Sequence, residues 1–289
     1  MDPLPYHSHP KKPDIALPAK ACDAHCHVFG PAARFPFAPT RTYTPVDGPK
    51  ETLFALHRHL GIARAVLVQA SCHGTDNSAM LDAIAASDGA YRGIAMVKAD
   101  VSKEELQALH DGGVRGVRFN FVGHLGADAD RGAIRTIVEK VAPLGWHAVI
   151  HFDAHRLTEL APFLRGLPLT LVIDHMGRID ASKGVEQEAF QLLLKLMEDR
   201  RFWVKVSGSE RISREGPPFH DAARYGNLLV ERFPDRVLWG TDWPHPNIFK
   251  NMPDDGALVD LLAIIAPEPA QRQALLVDNP TRLYWPEAR

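Results

Sequence analysis

The sequence lacks any long apolar run. No window offers the roughly 20 consecutive apolar residues that a membrane-spanning helix needs. The segment Met1 to Lys20 carries prolines, lysines and histidines in place of the apolar centre of a secretory signal peptide. We therefore expect a cytoplasmic protein that does not act on membranes, in which residues 1–20 form an extended N-terminal arm.

The chain also has few cysteines and a small net charge. The three cysteines, Cys22, Cys26 and Cys72, are an odd number without a zinc-knuckle spacing, so we expect free thiols in a reducing compartment. A formal net charge of −2 gives no reason to expect binding to nucleic acid or to anionic membranes. No phosphate-binding loop is present. Any anion must therefore be bound by a local group of cations.

No break in composition divides the chain of 289 residues, of which 45% are apolar and 24% are charged. Short apolar or β-branched runs alternate with longer amphipathic stretches, the pattern of strand–helix units around a parallel sheet. The predicted strands are Ala21–Val28, Ala65–Ala70, Gly93–Lys98, Gly116–Phe121, His147–Phe152, Leu171–His175, Phe202–Ser207 and Val237–Asp242. The predicted helices are Pro49–Leu60, Asn77–Ala86, Lys103–Asp111, Gly132–Ala142, Arg156–Leu164, Glu186–Asp199 and His220–Arg232, with one or two more between Asp255 and Val277. This order predicts a single-domain (β/α)8 TIM barrel over residues 21–289.

In such barrels the catalytic residues collect where strands end and the following loops begin. Polar side chains meet this condition at nearly every predicted strand: His25 and His27, Ser71 and His73, Lys98, Arg118 and Asn120, His151 and Asp153, His175, Ser207 to Arg211, and Asp242. Because successive residues of a strand alternate between faces, His25 and His27 project together while Cys26 faces away. Two imidazoles aimed at one point suit a metal ion or a polarised carbonyl group.

Long motifs surround these residues. They are Asp23-Ala24-His25-Cys26-His27, Val68-Gln69-Ala70-Ser71-Cys72-His73, Gly116-Val117-Arg118-Phe119-Asn120-Phe121, Ile173-Asp174-His175-Met176-Gly177, Gly240-Thr241-Asp242-Trp243-Pro244-His245 and Asn279-Pro280-Thr281-Arg282-Leu283-Tyr284. On these motifs the chain resembles the amidohydrolase superfamily. Over nearly its whole length it is similar to the 2-pyrone-4,6-dicarboxylate lactonases of aromatic-acid catabolism. The resemblance implies a hydrolase that opens a carboxylated lactone, a carboxylic ester bond.

Lactone hydrolysis needs an activated water, a polarised carbonyl and stabilisation of the oxyanion that forms. On the basis of the family resemblance, we predict that Asp242 is the general base. His25, His27 and His175 are predicted to surround the scissile carbonyl, either as hydrogen-bond donors or as ligands of a metal that acts as a Lewis acid.

The sequence leaves open whether the site binds a metal. One zinc or manganese ion could be held by His25, His27, His151, His175 and Asp242. The resemblance implies that some such lactonases work without a metal and carry a tyrosine where this chain has His151. We therefore keep two hypotheses: one divalent metal with His151 as a ligand, which is slightly favoured, or no metal, with His151 as a donor to the substrate. No residue stands out as the bridging lysine of binuclear relatives.

A carboxylated substrate needs fixed cations, and the arginine fork suits carboxylates better than the lysine point charge. Arg118 and Arg211 are predicted to be carboxylate clamps, because the resemblance places such clamps after the fourth and seventh strands. The weaker predicted substrate contacts are Tyr43, Ser71, His73, His124 and Asn247.

One departure from the lactonase pattern limits the prediction of substrate. Gly123 and His124 stand where those lactonases tend to carry a Lys-Arg pair. The alternatives are therefore a lactonase for a sulfo- or otherwise substituted muconolactone, a zinc-dependent decarboxylase of the same superfamily, or a non-catalytic sensor on the same barrel. A small-molecule carboxylated lactone is the expected partner, and the sequence carries no signal for an oligomeric state.

Overall fold

The computed structural model describes residues 3–125 and 130–288. Eight strands form one sheet in which every pairing between neighbours is parallel and the strand order follows the chain. They are β1 (Cys22–Cys26), β2 (Arg64–Val68), β3 (Tyr91–Ala95), β4 (Val114–Phe121), β5 (His147–Phe152), β6 (Leu171–Ile173), β7 (Phe202–Lys205) and β8 (Val237–Leu238). All eight lie within or overlap the predicted strands, so the predicted (β/α)8 fold class is confirmed.

Backbone hydrogen bonds bring the two edges of the sheet together and nearly close the barrel. The N–H of Ala24 donates to the carbonyl of Trp239 over 2.8 Å, and the N–H of His27 donates to the carbonyl of Trp243 over 2.8 Å. In return, the N–H of Asp242 donates to the carbonyl of His25 over 2.7 Å. These bonds hold the histidines of β1 beside the aspartate that follows β8.

The helices surround the barrel. They are α1 (Lys50–Leu60), α2 (Ser78–Ala85), α3 (Lys103–Asp111), α4 (Arg131–Val141), α5 (Leu157–Arg165), α6 (Glu188–Met197), α7 (Ser209–Ile212), α8 (His220–Arg232), α9 (Asp255–Asp260), α10 (Leu262–Ile265), α11 (Pro269–Gln273) and α12 (Asn279–Tyr284). In α4 the buried residues Ile134, Ile137, Val138 and Val141 recur at helical spacing and pack against the sheet. Within the described part of the chain, no helix has both the length and the apolar character needed to cross a bilayer.

Alternation along the strands separates two apolar layers. One buried cluster takes side chains from around the whole sheet, for example Val66, Val149 and Val172, and therefore fills the barrel interior. Their neighbours Leu67 and Ile150 belong to the larger cluster between sheet and helices. The three cysteines are buried and free of disulfides, as expected.

A bulge in β1 turns the side chains of His25 and His27 toward the barrel interior. The register against β2 shifts between Asp23 and Cys26, and such a bulge re-aims side chains. The carboxylate of Asp23 turns outward to α1, where His57 Nε2 lies 3.2 Å away, while His25 and His27 both face Asp242. The prediction that the two histidines share a face opposite to Cys26 is confirmed.

Six strands end earlier than predicted, namely β1, β2, β3, β6, β7 and β8. Two of these early ends place site residues, because β6 stops at Ile173 instead of His175 and β8 stops at Leu238 instead of Asp242. His175 has a φ of 48° and Asp242 a φ of 64°, a left-handed conformation that cannot continue a strand. The chain therefore leaves the sheet before each of these residues, at Ile173 and at Leu238, and turns them toward the centre of the barrel.

The C-terminal helical region also differs from prediction. The stretch between Asp255 and Val277 is divided into α9, α10 and α11, followed by a π-helical turn at Ala274–Asp278. α7 and α12 lie where no helix is predicted. Each has four to six residues, too few for a helical periodicity to appear in the sequence.

The N-terminal arm is extended and tightly attached to the segment after β8. The N–H of Leu4 donates to the carbonyl of Ile248 over 2.7 Å, and the Tyr6 ring packs on Trp243 with ring centres 4.9 Å apart. Farther along, the N–H of Lys11 donates to the Asp254 carboxylate over 2.9 Å. Residues 3–20 therefore brace the loop that follows Asp242.

Gly256→Ala should detach part of this arm. A Cβ at position 256 would overlap the carbonyl oxygen of Lys11 and lie 2.8 Å from its carbonyl carbon, and both are backbone atoms that cannot rotate away. We expect a loss of about 1–3 kcal/mol in the free energy of unfolding, the usual cost of overpacking, and faster trypsin cleavage after Lys11. Thermal melting and timed proteolysis measure both. Gly166→Ala is the control, because its new Cβ would meet only ordinary contacts of 3.4 Å or more; an equal effect there would contradict the prediction.

Candidate active site

A pocket opens at the carboxyl end of the barrel. Its outer part has a volume of about 860 Å³ and adjoins a narrow chamber of about 30 Å³, which has room for a water or a small polar group. Both parts are lined by Tyr43, His124, Arg178, Arg211 and Asn247. The chamber alone is lined by His27, Ser71, Arg118, Leu125, His151, His175, Asp242 and Pro246.

Most of the predicted site residues therefore meet at one place. His25 does not line the chamber but lies directly behind it. Its side chain is fully buried, and its Nε2 lies 3.5 Å from Asp242 Oδ1. His73 lies outside the residues that line the pocket. Its ring packs against Phe37 with centres 4.9 Å apart, and its Nδ1 lies 3.3 Å from the carbonyl oxygen of Pro36.

The carboxylate of Asp242 is the centre of the chamber. Its Oδ1 lies 3.3 Å from His27 Nε2, and the corresponding distance to His175 is 3.8 Å. Its Oδ2 accepts a hydrogen bond from Arg211 Nε over 2.8 Å, and Arg211 Nη2 lies 2.6 Å from the same oxygen in an ion pair. Burial raises the pKa of Asp242, but Arg211 and His175 outweigh it and hold that pKa well below the usual range. Asp242 is therefore ionised and can accept a proton.

Arg211 is held rigidly beside Asp242. Its Nη1 donates to the carbonyl of Pro246 over 2.8 Å, and its Nε lies 3.3 Å from the buried Glu210 carboxylate. Burial lowers the pKa of Arg211, but Asp242 and Glu210 together raise it above its ordinary value. The guanidinium is a permanent cation at the border between pocket and chamber.

Lys205 determines which nitrogen of His25 carries hydrogen. The Lys205 ammonium lies 2.9 Å from His25 Nδ1 and 3.1 Å from Asp174 Oδ1, and all three side chains are fully buried. Asp174 Oδ1 also lies 3.2 Å from His25 Nδ1, but the Lys205 contact is shorter and is the hydrogen bond. Since an ammonium can only donate, Nδ1 accepts. Burial and Lys205 lower the pKa of His25 far below its usual value, so the ring is neutral and carries its hydrogen on Nε2, toward Asp242.

His151 is arranged in the same way. Arg118 Nη2 lies 3.1 Å and Asn120 Oδ1 3.2 Å from His151 Nδ1. The guanidinium can only donate, whereas a 180° flip of the Asn120 amide turns its NH2 group to the same nitrogen, so we assign Nδ1 as the acceptor. Burial and Arg118 lower the pKa of His151 well below its usual value. The neutral ring therefore carries its hydrogen on Nε2, a buried atom with no protein partner, next to the chamber.

His27 has the opposite tautomer. Its Nδ1 lies 2.7 Å from the carbonyl oxygen of Val68, which can only accept, so Nδ1 carries hydrogen. His27 Nε2 lies 3.3 Å from Asp242 Oδ1, within hydrogen-bonding distance, and a neutral ring has only a lone pair at this nitrogen. A water that donates to both atoms would satisfy the pair.

His175 is neutral and packed closely. Burial lowers its pKa to about 4, and its Nδ1 lies 3.2 Å from the Ser207 hydroxyl, which can donate or accept. A Cβ at Gly208 would lie 2.7 Å from this ring. Only glycine therefore allows the chain after β7 to pass so close to His175.

The histidine nitrogens and the Asp242 carboxylate include the donor atoms of the predicted metal site. Within the described residues, one donor atom from each of His25, His175 and Asp242 lies within 4.8 Å of the other two, so candidate ligand atoms are present. The hydrogen positions do not suit a metal, however. His151 has no lone pair on the nitrogen that faces the chamber, and His25 has none on the nitrogen that faces Asp242, so only His175 and Asp242 keep a free donor atom in that close group. Catalytic zinc takes three protein ligands, and this donor set does not supply them.

Sequence reasoning missed three residues of this site. Lys205 is the lone charge in the apolar run of β7, and Asp174 directly precedes His175; both signals are visible in the sequence. Arg178, three residues after His175, lines pocket and chamber and donates through Nε to Asp153 over 3.1 Å. Asp153 also accepts from the N–H of Gly123 over 3.1 Å, which ties the His124 loop to Arg178.

Comparison with known proteins places the chain in a family. The family model for amidohydrolases matches residues 22–285. The chain belongs to the amidohydrolase family. A 2-pyrone-4,6-dicarboxylate hydrolase of Comamonas testosteroni is 54% identical over 98% of this chain and 96% of that protein. A 4-sulfomuconolactone hydrolase of Hydrogenophaga intermedia is 40% identical over 95% of this chain and 92% of that protein.

Solved structures agree with this amidohydrolase assignment. A probable 2-pyrone-4,6-dicarboxylic acid hydrolase from Acinetobacter baumannii, with citric acid bound, superposes with a TM-score of 0.81 at 29% identity. The match covers 92% of this amidohydrolase and 99% of that chain. The predicted family and barrel are thus both confirmed.

Proposed function

We propose that this amidohydrolase opens the lactone ring of 2-pyrone-4,6-dicarboxylate with water during the breakdown of aromatic acids. The observation that carries the proposal is the charge of the chamber. Arg118, Arg178 and Arg211 all line it, and each is held in place by a carboxylate of the protein, which is Asp174, Asp153 and Asp242 in turn. Three guanidinium groups fixed around one chamber suit a substrate with two carboxylates, because their remaining N–H groups can bind carboxylate oxygens.

The reaction class has independent support. The relative from Comamonas testosteroni, which matches nearly all of both chains, is a hydrolase of a pyrone lactone, so the predicted hydrolysis of a lactone ester bond is confirmed. The Acinetobacter baumannii protein binds citric acid, itself a polycarboxylate. The finer assignment, to the dicarboxylate rather than to another lactone, rests on the arginines of this chain.

Water is activated by Asp242 in this proposal. His27 Nε2 and Asp242 Oδ1 are neighbouring acceptors 3.3 Å apart at the chamber. A water that donates to both places its oxygen lone pair toward the lactone carbonyl carbon. As the new C–O bond forms, Asp242 takes the proton of the water.

The charge that develops on the carbonyl oxygen meets two N–H donors. His151 lines the chamber, and its Nε2–H has no hydrogen-bond partner in the protein. The Nε2–H of His25 lies deeper, 3.5 Å from Asp242 Oδ1, and also makes no hydrogen bond within the protein. Preorganised donors of this kind stabilise an oxyanion because they need no rearrangement during the reaction. We therefore assign His151 to the substrate and not to a metal.

Collapse of the tetrahedral intermediate breaks the bond between the carbonyl carbon and the ring oxygen. The electron pair of that bond goes to the ring oxygen, and the proton held by Asp242 is returned to it, so that Asp242 is ionised again. The products are a new carboxylate, whose proton is released to solvent, and an enol on the opened chain. Tyr43, Ser71, His124 and Asn247 line the pocket where this substrate would lie.

The reaction is tested with three lactones and the purified full-length enzyme. We expect hydrolysis of 2-pyrone-4,6-dicarboxylate, followed by loss of pyrone absorbance, with kcat/KM about 100-fold above that for a pyrone with one carboxylate, since one charge-assisted hydrogen-bond set is worth about 1.5–3 kcal/mol. A preference for 4-sulfomuconolactone would contradict the substrate assignment, and carbon dioxide release without ring opening would indicate the decarboxylase instead.

The same assay tests the role of metal. After dialysis against a chelator, with metal content measured in the same sample, we expect activity to stay within about twofold, because the protein N–H donors supply the oxyanion stabilisation. Loss of activity that zinc or manganese restores would support the predicted metal centre.

A further inference from the structure

A buried group of charges lies beneath the chamber and is not explained by substrate binding. The Asp174 carboxylate is fully buried, with Lys205 Nζ 3.1 Å from Oδ1 and Arg118 Nη2 3.2 Å from Oδ2. Burial raises the pKa of Asp174, but Lys205 and Arg118 outweigh it and hold that pKa well below the usual range, so the carboxylate is ionised. One anion is thus held between two cations in the barrel interior.

Each of these two cations also contacts a pocket histidine. Lys205 lies against Nδ1 of His25, and Arg118 lies against Nδ1 of His151. Both contacts reach the nitrogen that points away from the chamber. The arrangement is therefore symmetrical: on each side of Asp174, one obligate donor links the carboxylate to the inner nitrogen of one imidazole.

Stability does not account for such a group. Charges taken out of water lose hydration that their mutual attraction barely restores, and apolar side chains of similar size often stabilise a core as well or better. Lys205 in particular is a fully buried lysine on the same inner face of β7 as Trp203. Its position is explained by what it does to His25.

We infer that Asp174 and Lys205 are positioning residues that, together with Arg118, keep hydrogen on Nε2 of both His25 and His151. Without the ammonium, Nδ1 of His25 would lie beside the Asp174 carboxylate alone, 3.2 Å away. It would then carry the hydrogen and donate to Asp174. Nε2 of His25 would become an acceptor, and the developing oxyanion would meet a lone pair in place of a donor. The inference rests on the proposed function for its catalytic consequence, but not for the tautomer itself.

Lys205→Met tests this role, because methionine fills similar space and cannot donate. We expect the 15N spectrum of the His25 ring to change from the Nε2–H to the Nδ1–H pattern. We expect kcat to fall about 100-fold with KM within about threefold, as for loss of one oxyanion donor. Lys195→Met, at an exposed position of α6, is the matched control and should change neither quantity.

A second measurement keeps the test decisive if unpaired Asp174 prevents Lys205→Met from folding. The 15N spectrum of the His25 ring in the wild-type enzyme needs no variant and shows directly which nitrogen carries hydrogen. A wild-type His25 with hydrogen on Nδ1, or a folded Lys205→Met enzyme with wild-type kcat, would overturn the inference. The spectrum needs no substrate, so a wild-type enzyme that shows the Nε2–H pattern but does not hydrolyse the lactone would refute only the proposed function.

Discussion

Asp242→Asn should reduce kcat by at least about 1000-fold, because asparagine keeps the shape of the side chain and removes its ability to take a proton from water. Arg211 can still donate to the amide oxygen, so the chamber should keep its geometry. We expect KM to change by less than about tenfold. Steady-state hydrolysis of 2-pyrone-4,6-dicarboxylate at neutral pH measures both constants.

A surface aspartate provides the comparison for this variant. Asp235 is partly exposed and pairs with the exposed Arg200, and Asp235→Asn should leave both constants unchanged. If Asp242→Asn keeps more than a few per cent of the wild-type kcat, another group accepts the proton of the water and the assignment of Asp242 is wrong.

Arg211→Met is expected to be nearly as damaging. The variant removes a hydrogen bond and an ion-pair contact to Asp242 Oδ2, and with them one of the arginines that line the chamber. Since each charged hydrogen bond contributes about 1.5–3 kcal/mol, kcat/KM should fall by about 1000-fold, with a clear rise in KM. Arg214→Met is the matched control, because Arg214 lies three residues away and is largely exposed. An unchanged KM in Arg211→Met would show that the substrate does not use this guanidinium.

The same variant should shift the pH dependence of the reaction. Arg211 is the main group that lowers the pKa of Asp242, and catalysis needs the ionised carboxylate. In the wild-type enzyme, activity should therefore persist until the pH falls well below the usual range of an aspartate. Without Arg211 the pKa of Asp242 rises, and activity should be lost at a higher pH on the acid side. Identical acid limbs in profiles of kcat/KM would contradict the proposed coupling.

The site could be predicted from sequence to the extent that it depends on strand ends. His27, His151, His175 and Asp242 are polar residues that follow apolar runs, and a parallel barrel brings the ends of all its strands to one face. His73 also follows an apolar run, but packing against Phe37 turns its ring away from the pocket. A position at a strand end thus brings a residue near the site, but it does not decide where the side chain points.

Proton positions could not be read from the sequence. His25 carries hydrogen on Nε2 because Lys205 donates to its Nδ1. His27 carries hydrogen on Nδ1 because the carbonyl of Val68 accepts from it. The partners are remote in sequence, by 180 residues for His25 and Lys205. The choice between metal ligands and hydrogen-bond donors therefore depends on contacts that periodicity and motifs do not contain.

The sequence by itself determined the eight parallel strands, their order and the face on which polar residues collect, since alternating apolar runs and amphipathic helices have few other ways to bury their apolar surface. It also determined the family through long motifs. Only the tertiary structure decided that β6 and β8 end early to turn His175 and Asp242 inward, that Arg178 joins the pocket, and that Asp174 lies between Lys205 and Arg118. Hydrogen bonds and charges act through space over a few ångströms, so their partners are known only once the barrel has closed.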